Sequence, residues 1–392
     1  MYSGDDVSVY SMAQKSTTGQ WFPHSWMNDL SSYIGHLPIT QIFLPGAHNA
    51  ATSGIHKGSP LGLDAYGAGS DGKVKVITTP QVRNRSVSSK WAKCQDMTVL
   101  QLLQGGVRYL DLRISVGLEG DHRLYLTHYH TSITLLELLH QVRDFLNTPE
   151  SVNEIIVLDF QHIYGVRDKG ERLRFVRDLS TLEEFYITTE APLTTTVKEI
   201  WRRSVKQRVF LVVKFEIPHP AARLRGGVIR SPWQDSMSLR RLVANLNEVL
   251  LVALEEEEAT NKAPDKLFVT QAICTPTMGT VCCGAFCKYC GAPKSLKQVA
   301  QRVNSKLLEW FYALNVRGEV GKEKIELRHD VNVHGNILML DFVDIGRCFS
   351  EDGQQMDAVG LCVYLNMSNE SRYALNDEDT DMDGSTLGSD SG

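Results

Sequence analysis

The sequence predicts one α/β domain folded as a TIM-like parallel β/α barrel, with room for distortion or incomplete closure. Two observations carry this. Short runs of β-branched and aromatic residues alternate with stretches of helical periodicity, which is the pattern of a parallel sheet covered by helices. In addition, His48, Asp111, Arg113, His128 and Asp341 all fall at or just past the C-terminal end of such a run, the face on which barrel enzymes carry their sites. An open doubly wound sheet also uses strand C-termini, so length arbitrates: 392 residues suit a single barrel.

The predicted strands are Gln41–Ala47, Val107–Arg113, Leu124–His128, Glu154–Phe160, Arg208–Phe215, Lys266–Ala272 and Asn336–Phe342. Each is apolar on both faces, as strands buried beneath helices are. Among the helices, Thr134–Leu146 places Leu135, Leu138, Leu139, Val142 and Leu146 on one stripe. Leu239–Leu254 and Ser295–Leu314 have the same spacing. Residues 1–20 are expected to be a polar tail, 21–370 the barrel, and 371–392 an acidic, disordered tail. Residues 56–90, rich in Gly, Ser and Lys, read as a long loop over the active face.

Apolar residues make up 42% of the chain and charged residues 22%, the balance of a globular protein with a large core. The net charge of −5 gives no overall field to hold nucleic acid. No apolar run approaches the ~18 residues of a membrane span, and the start Met1-Tyr2-Ser3 resembles neither a secretory signal nor an N-myristoylation site. An intracellular setting, with the eight cysteines as thiols, is expected.

Four segments carry candidate chemistry. In Leu44-Pro-Gly-Ala-His48-Asn49, Pro45-Gly46 turn the chain so that His48 faces outward. In Gly106–Arg113, strand alternation puts Asp111 and Arg113 on one face, where a guanidinium can grip a phosphate oxygen and the carboxylate can steady it. In Leu124–His130, alternation puts His128 and His130 on one side, as metal ligands or with one as an acid. Asp341 closes a buried strand, where a carboxylate can orient an imidazole. Taken singly, each is as well explained by a loop hydrogen bond, a rim ion pair or a strand cap. Together they supply what a metal-free phosphodiester cleavage needs: a base, an acid and a cation for the developing phosphorane.

These same segments, with Glu154–Gly165, resemble the X-region of the phosphatidylinositol-specific phospholipase C family. Ser25–Asp29, Gly46–Ala50, Arg108–Arg113, Thr127–His130, Val281–Ala285 and His334–Leu338 are similar to the branch acting on glycosylphosphatidylinositol anchors. The resemblance implies a barrel and no cofactor. It implies His48 as general base toward the inositol 2-hydroxyl, His128 as general acid toward the diacylglycerol oxygen, Arg113 on the phosphate and Asp341 orienting the base. Phosphatidylinositol and glycosylphosphatidylinositol-anchored proteins are the implied substrates, and the membrane surface the implied partner. Asn49 stands where bacterial members have Asp and where calcium-dependent members have a metal-ligating Asn. Arg113 stands where calcium-dependent members have a second acid, so the expected site is metal-free. Headgroup contacts are less legible; Lys214, Gln271 and the loop residue Gln95 are candidates by position.

Two readings compete with this one. A glycerophosphodiesterase on the same barrel would need a metal and paired carboxylates where the chain has Asp111 and Arg113. A barrel that only binds inositol lipid would have no use for His48, Arg113, His128 and Asp341 together. Cys282, Cys283, Cys287 and Cys290 admit three readings: zinc, buried thiols, or thioacylation. Adjacent cysteines rarely share a tetrahedral site, whereas Val281, Phe286 and Tyr289 make the loop apolar; lipidation and peripheral attachment at the cytoplasmic face of a membrane are therefore expected. The tail Asp379-x-Asp381-x-Asp383-Gly384 imitates the start of a calcium loop, but its twelfth position is Asp390, so an acidic tail is the better reading.

Overall fold

The computed structural model describes residues 22–66, 84–118, 121–260, 262, 264–287, 289, 291–320, 323–324 and 335–368. Both tails, Cys290 and His334 lie outside these residues.

Eight parallel strands curl into an open barrel. They are β1 (Leu44–Ala47), β2 (Tyr109–Val116), β5 (Ile156–Tyr164), β6 (Val209–Val213), β7 (Ala222–Leu224), β8 (Ile229–Arg230), β9 (Leu267–Gln271) and β12 (Ile337–Leu340). β3 (Leu124–His128) and β4 (His130–Thr134) form a hairpin, and β10 (Glu319–Val320) pairs antiparallel with β11 (Glu323–Lys324). The sheet runs β7-β6-β5-β2-β1-β12-β9-β8, and among the described residues no ladder joins β7 to β8. The circuit is therefore that of a β/α barrel left open at one seam, which the four-residue helix Arg225–Val228 crosses.

Strand alternation divides the core into two layers. Leu44, Tyr109, Val157, Phe210, Val269, Ile337 and Met339 point inward, and Trp26, Met27, Leu30 and Ile34 of the N-terminal helical turns join them. Leu110, Leu112, Leu158 and Leu211 point outward against helices such as Leu135–Leu146. That helix begins with a capping box between Thr134 and Glu137, which satisfies otherwise orphan backbone donors. Leu239–Thr260 and Leu296–Arg317 are the other long helices. At Gly46 a Cβ would meet Ile337 Cγ2 at 3.0 Å and Tyr109 Cδ1 at 3.1 Å. The absent side chain is what lets the Tyr109 ring cross the barrel.

Three sequence expectations change here. Leu124–His128 is not a barrel strand: β3 pairs antiparallel with β2 and carries His128 back over the rim. β7 and β8, three and two residues long, complete the circuit although no periodic run announces them. Within 56–90, the described residues include the helix Arg85–Ala92, N-capped by Asn84, rather than loop alone.

Candidate active site

β1 ends at Ala47, and His48 N donates to Leu340 O of the adjoining β12 strand (3.1 Å). His48 thus lies beside Asp341, and its Nδ1 stands 2.7 Å from Asp341 Oδ1. An ionised carboxylate only accepts, so Nδ1 carries the proton. Nε2 is then the lone-pair nitrogen, and Asn49 Nδ2 (2.9 Å) and Arg113 Nη2 (3.2 Å) both approach it. Two donors facing one nitrogen fit the free-base tautomer.

Asp111 is fully buried beneath these groups. Its Oδ2 accepts from Asn49 N (3.0 Å) and lies 3.8 Å from His48 Nε2 and 4.0 Å from Arg113 Nη2. That bond holds Asn49 in its left-handed conformation (φ 43°), which Asn tolerates better than most residues. The turn after β12 is fixed by Asn304 Nδ2, which donates to Asp341 O (2.9 Å).

His128 faces His48 across the end of the cavity, ring centroids 6.0 Å apart and nearly perpendicular. Its Nδ1 donates to Ala92 O (2.7 Å), which directs Nε2 away from that anchor. Burial holds its imidazolium well below the ordinary histidine range, with Arg113 and His48 adding to the effect. His130 does not share this face. Tyr129 turns the hairpin at φ 58°, and His130 is buried with Nε2 2.7 Å from Ser88 Oγ and Nδ1 3.1 Å from Ser59 O. It latches the Arg85–Ala92 helix to the loop at Ser59, and the expectation that it stands beside His128 is corrected by that turn.

The cavity above these groups measures about 690 Å³ and is lined by His48, Arg113, His128, Lys214, Gln271 and Asp341 among others. Gln271 Nε2 donates to Ser231 Oγ (2.9 Å). Gln95 lies below it: fully buried, its amide donates to His48 O (3.1 Å) and Leu340 O (2.9 Å) and accepts from Val343 N (3.2 Å). It props the backbone of the base and does not line the cavity. Asn49 and Asp111 likewise reach the cavity only through His48 and Arg113.

Several lining residues escaped the sequence reading. The β2–β5 register shifts at Leu112/Arg113, and the resulting bulge lets neighbouring Gln161 and His162 both line the wall. Burial and Arg113 hold His162 down to about 4. Arg225 enters from the seam helix and grips Asp159, with Nε 3.1 and 3.0 Å from the two carboxylate oxygens. Tyr109 Oη donates to the same carboxylate (2.6 Å); burial nonetheless pushes Asp159 up to about 6. Trp91, Trp233, Met278 and Val281 complete the mouth. Cys94 Sγ lies 3.4 Å from His128 Nδ1, and burial pushes the thiol well up. His48, Cys94 and Asp341 are close enough together to hold a metal ion. As a donor set they fit poorly, because Nδ1 and the carboxylate are spent on each other and the thiol is kept protonated.

The cysteine segment forms the helix Met278–Phe286. Cys282 is half-buried, and Cys283 and Cys287 are exposed. Among the described residues no helix is long and apolar enough to cross a membrane.

An open parallel barrel whose strand ends hold two imidazoles, a guanidinium and orienting carboxylates has the fold of the phosphatidylinositol-specific phospholipases C. Solved structures share the fold. A Staphylococcus aureus phosphatidylinositol-specific phospholipase C variant superposes with a TM-score of 0.54 at 15% identity, covering 88% of this chain and 97% of that one. The Listeria monocytogenes enzyme gives 0.52 at 15% identity, over 89% and 99%. In sequence, the chain is 41% identical to the variant-surface-glycoprotein phospholipase C of Trypanosoma brucei brucei, over 90% of this chain and 98% of that protein. It is 42% identical to the Trypanosoma cruzi protein of the same name, over 91% and 94%. Human PI-PLC X domain-containing protein 2 is 25% identical over 66% of this chain and 80% of its own length. No protein-family profile matches the chain. The chain belongs to the family of the variant-surface-glycoprotein phospholipases C, and it is a phospholipase C.

Proposed function

We propose that this enzyme cleaves phosphatidylinositol and glycosylphosphatidylinositol anchors by intramolecular attack, without a metal. The observation that carries the reading is the placement of His48 and His128 6.0 Å apart, with Arg113 Nη2 reaching His48 Nε2 at 3.2 Å. In the proposed step His48 Nε2 removes the proton of the inositol 2-hydroxyl, while Asp341 stabilises the imidazolium. The 2-oxygen bonds to phosphorus and the bond from phosphorus to the glycerol oxygen breaks. His128 gives its proton to that oxygen, releasing diacylglycerol and leaving an inositol 1,2-cyclic phosphate. Arg113 neutralises the oxygens that gain charge. A neighbouring hydroxyl brings a very high effective concentration, so water is not needed as first nucleophile.

The depressed His128 fits this scheme. A phosphodiester anion bound between the rings favours the imidazolium that Arg113 and His48 disfavour, so the acid is charged by its own substrate.

The membrane reading rests on the mouth. Met278 and Val281 line it, and the helix that carries them bears Cys282 and Cys283 and no charged residue. Phe286 and Tyr289 beyond them are 75% and 97% exposed. We place this side against the cytoplasmic face of a membrane, with thioacylation of Cys282, Cys283 and Cys287 holding it there; one acyl chain binds reversibly and two bind stably. Cys290 belongs to the same proposal by sequence alone.

The test is an assay of purified protein on phosphatidylinositol in excess chelator, with products resolved by phosphorus NMR. Cyclic phosphate formed at the uninhibited rate is the expected result. Chelator-abolished release of a linear phosphomonoester would point to the glycerophosphodiesterase reading, and no turnover with retained lipid binding to a non-catalytic barrel.

A further inference from the structure

We propose that Trp233, with Ser231, Gln271 and Arg225, forms a subsite for a sugar joined to the inositol ring, placed at the open seam of the barrel. The inference rests on the reading of the cavity as the headgroup site.

Trp233 is 61% exposed yet lines the cavity. Its indole Nε1 donates to Thr275 Oγ1 (3.1 Å), so the polar edge is pinned and a ring face is left to solvent at the mouth. The same cavity is lined by hydrogen-bonding groups of the kind hydroxyls need. Ser231 Oγ and the Gln271 amide are already coupled. Arg225 Nη2 is buried and has no hydrogen-bond partner among the described residues, although Nε is held by Asp159. A flat apolar face rimmed by oriented donors suits a pyranose, whose C–H face is apolar and whose rim carries hydroxyls.

Placement supports this. From β1, which His48 follows, the sheet runs through β12 and β9 to β8, after which Ser231 follows. Three strand intervals of ~4.8 Å span about 14 Å along the curved wall, room for the inositol ring and one further ring. Beyond that ring, among the described residues, no ladder closes the barrel between β7 and β8. Gly226 and Gly227 of the seam helix have no heavy atom within 4 Å of where a Cβ would stand.

The alternative occupant of an exposed tryptophan is a bilayer. The surroundings favour the sugar: Ser231, Gln234, exposed Asp235 and Ser236 flank Trp233, and inserting the indole would carry Asp235 toward lipid. The uncharged Met278–Phe286 helix has no such obstacle.

The experiment compares kcat/KM for phosphatidylinositol and for glucosaminyl-phosphatidylinositol, both in detergent micelles, in the parent, Trp233→Ala and Trp233→Phe proteins. Trp233→Ala should lower kcat/KM on the glycosylated substrate about tenfold, mainly through KM, and change phosphatidylinositol less than about twofold; Trp233→Phe should keep most of the preference, because it keeps a ring face. Equal losses on both substrates would overturn the subsite. So would unchanged micellar ratios with binding lost only to phosphatidylinositol vesicles, which would make Trp233 a membrane contact. A parent protein that cleaves neither substrate would overturn the phospholipase reading itself, a failure distinct from the other two.

Discussion

The rim at β1, β2 and β12, where we place the catalytic groups, and the seam between β7 and β8 border one cavity, and they are built differently. At the rim the base and its supports are tied to one another, while Asn49 Oδ1, Asp111 Oδ1 and Arg113 Nε have no hydrogen-bond partner among the described residues. Asp341 fixes His48, Asp111 fixes the Asn49 backbone, and Gln95 props His48 O and Leu340 O from beneath. At the seam no ladder joins β7 to β8 among the described residues, and Arg225, which follows β7, is held by Asp159 of β5. The difference separates two jobs. Proton transfer needs atoms held to fractions of an ångström, whereas a headgroup that varies in size needs an edge that does not close.

Replacing either histidine should break the rim most severely. His48→Ala and His128→Ala are each expected to lower kcat by about 10³-fold or more with an unchanged circular dichroism spectrum; His48→Ala protein retaining a tenth of parent activity would refute its assignment. Arg113→Gln should cost about 10²–10³-fold, and Arg113→Asp, which restores an acidic pair with Asp111, should make the residual rate calcium-dependent.

The pH dependence sharpens the same comparison. The acid must be protonated, and His128 is depressed in the free enzyme by burial, Arg113 and His48. The alkaline limb of kcat/KM should therefore fall below the ordinary histidine range, while the limb of kcat lies higher because bound phosphate restores the charge. Arg113→Gln removes one cause of the depression and should move the kcat/KM limb upward. Coincident limbs for kcat and kcat/KM would contradict substrate-charging of the acid.

Effects away from the chemistry should be smaller. Gly46→Ala presses a methyl group against Ile337 and Tyr109 and should cost about 1–3 kcal/mol in denaturant unfolding. Replacing Cys282, Cys283, Cys287 and Cys290 with Ser should leave activity on micellar substrate within about twofold, since none belongs to the catalytic set, yet shift cellular protein to the soluble fraction. Unaltered fractionation, with parent protein resistant to hydroxylamine release, would exclude thioacylation as the anchor.

The contrast also explains what could be read from sequence. β1, β2, β5, β6, β9 and β12 are apolar runs, several ending in a polar residue, and such a run shows both the strand and the group at its end. Asp341 and Lys214 were legible for that reason. The hairpin was misread because a positive φ at Tyr129 reverses the side on which alternation places His130. Gln161 and His162 depend on a bulge set by the partner strand, which no local pattern encodes. β7 and β8 are too short for any period to show, so Arg225, between them, and Trp233, just past β8, went unread although they line the cavity.

The central claim is that the first nucleophile is the substrate's own hydroxyl, held between His48 and His128. It is tested most directly by cleaving phosphatidylinositol in ¹⁸O-labelled water and analysing the earliest phosphorylated product by mass spectrometry. The account predicts inositol 1,2-cyclic phosphate free of label, with ¹⁸O appearing only in monoester formed later. A labelled inositol 1-phosphate as the first product, with no cyclic species preceding it, would contradict the account.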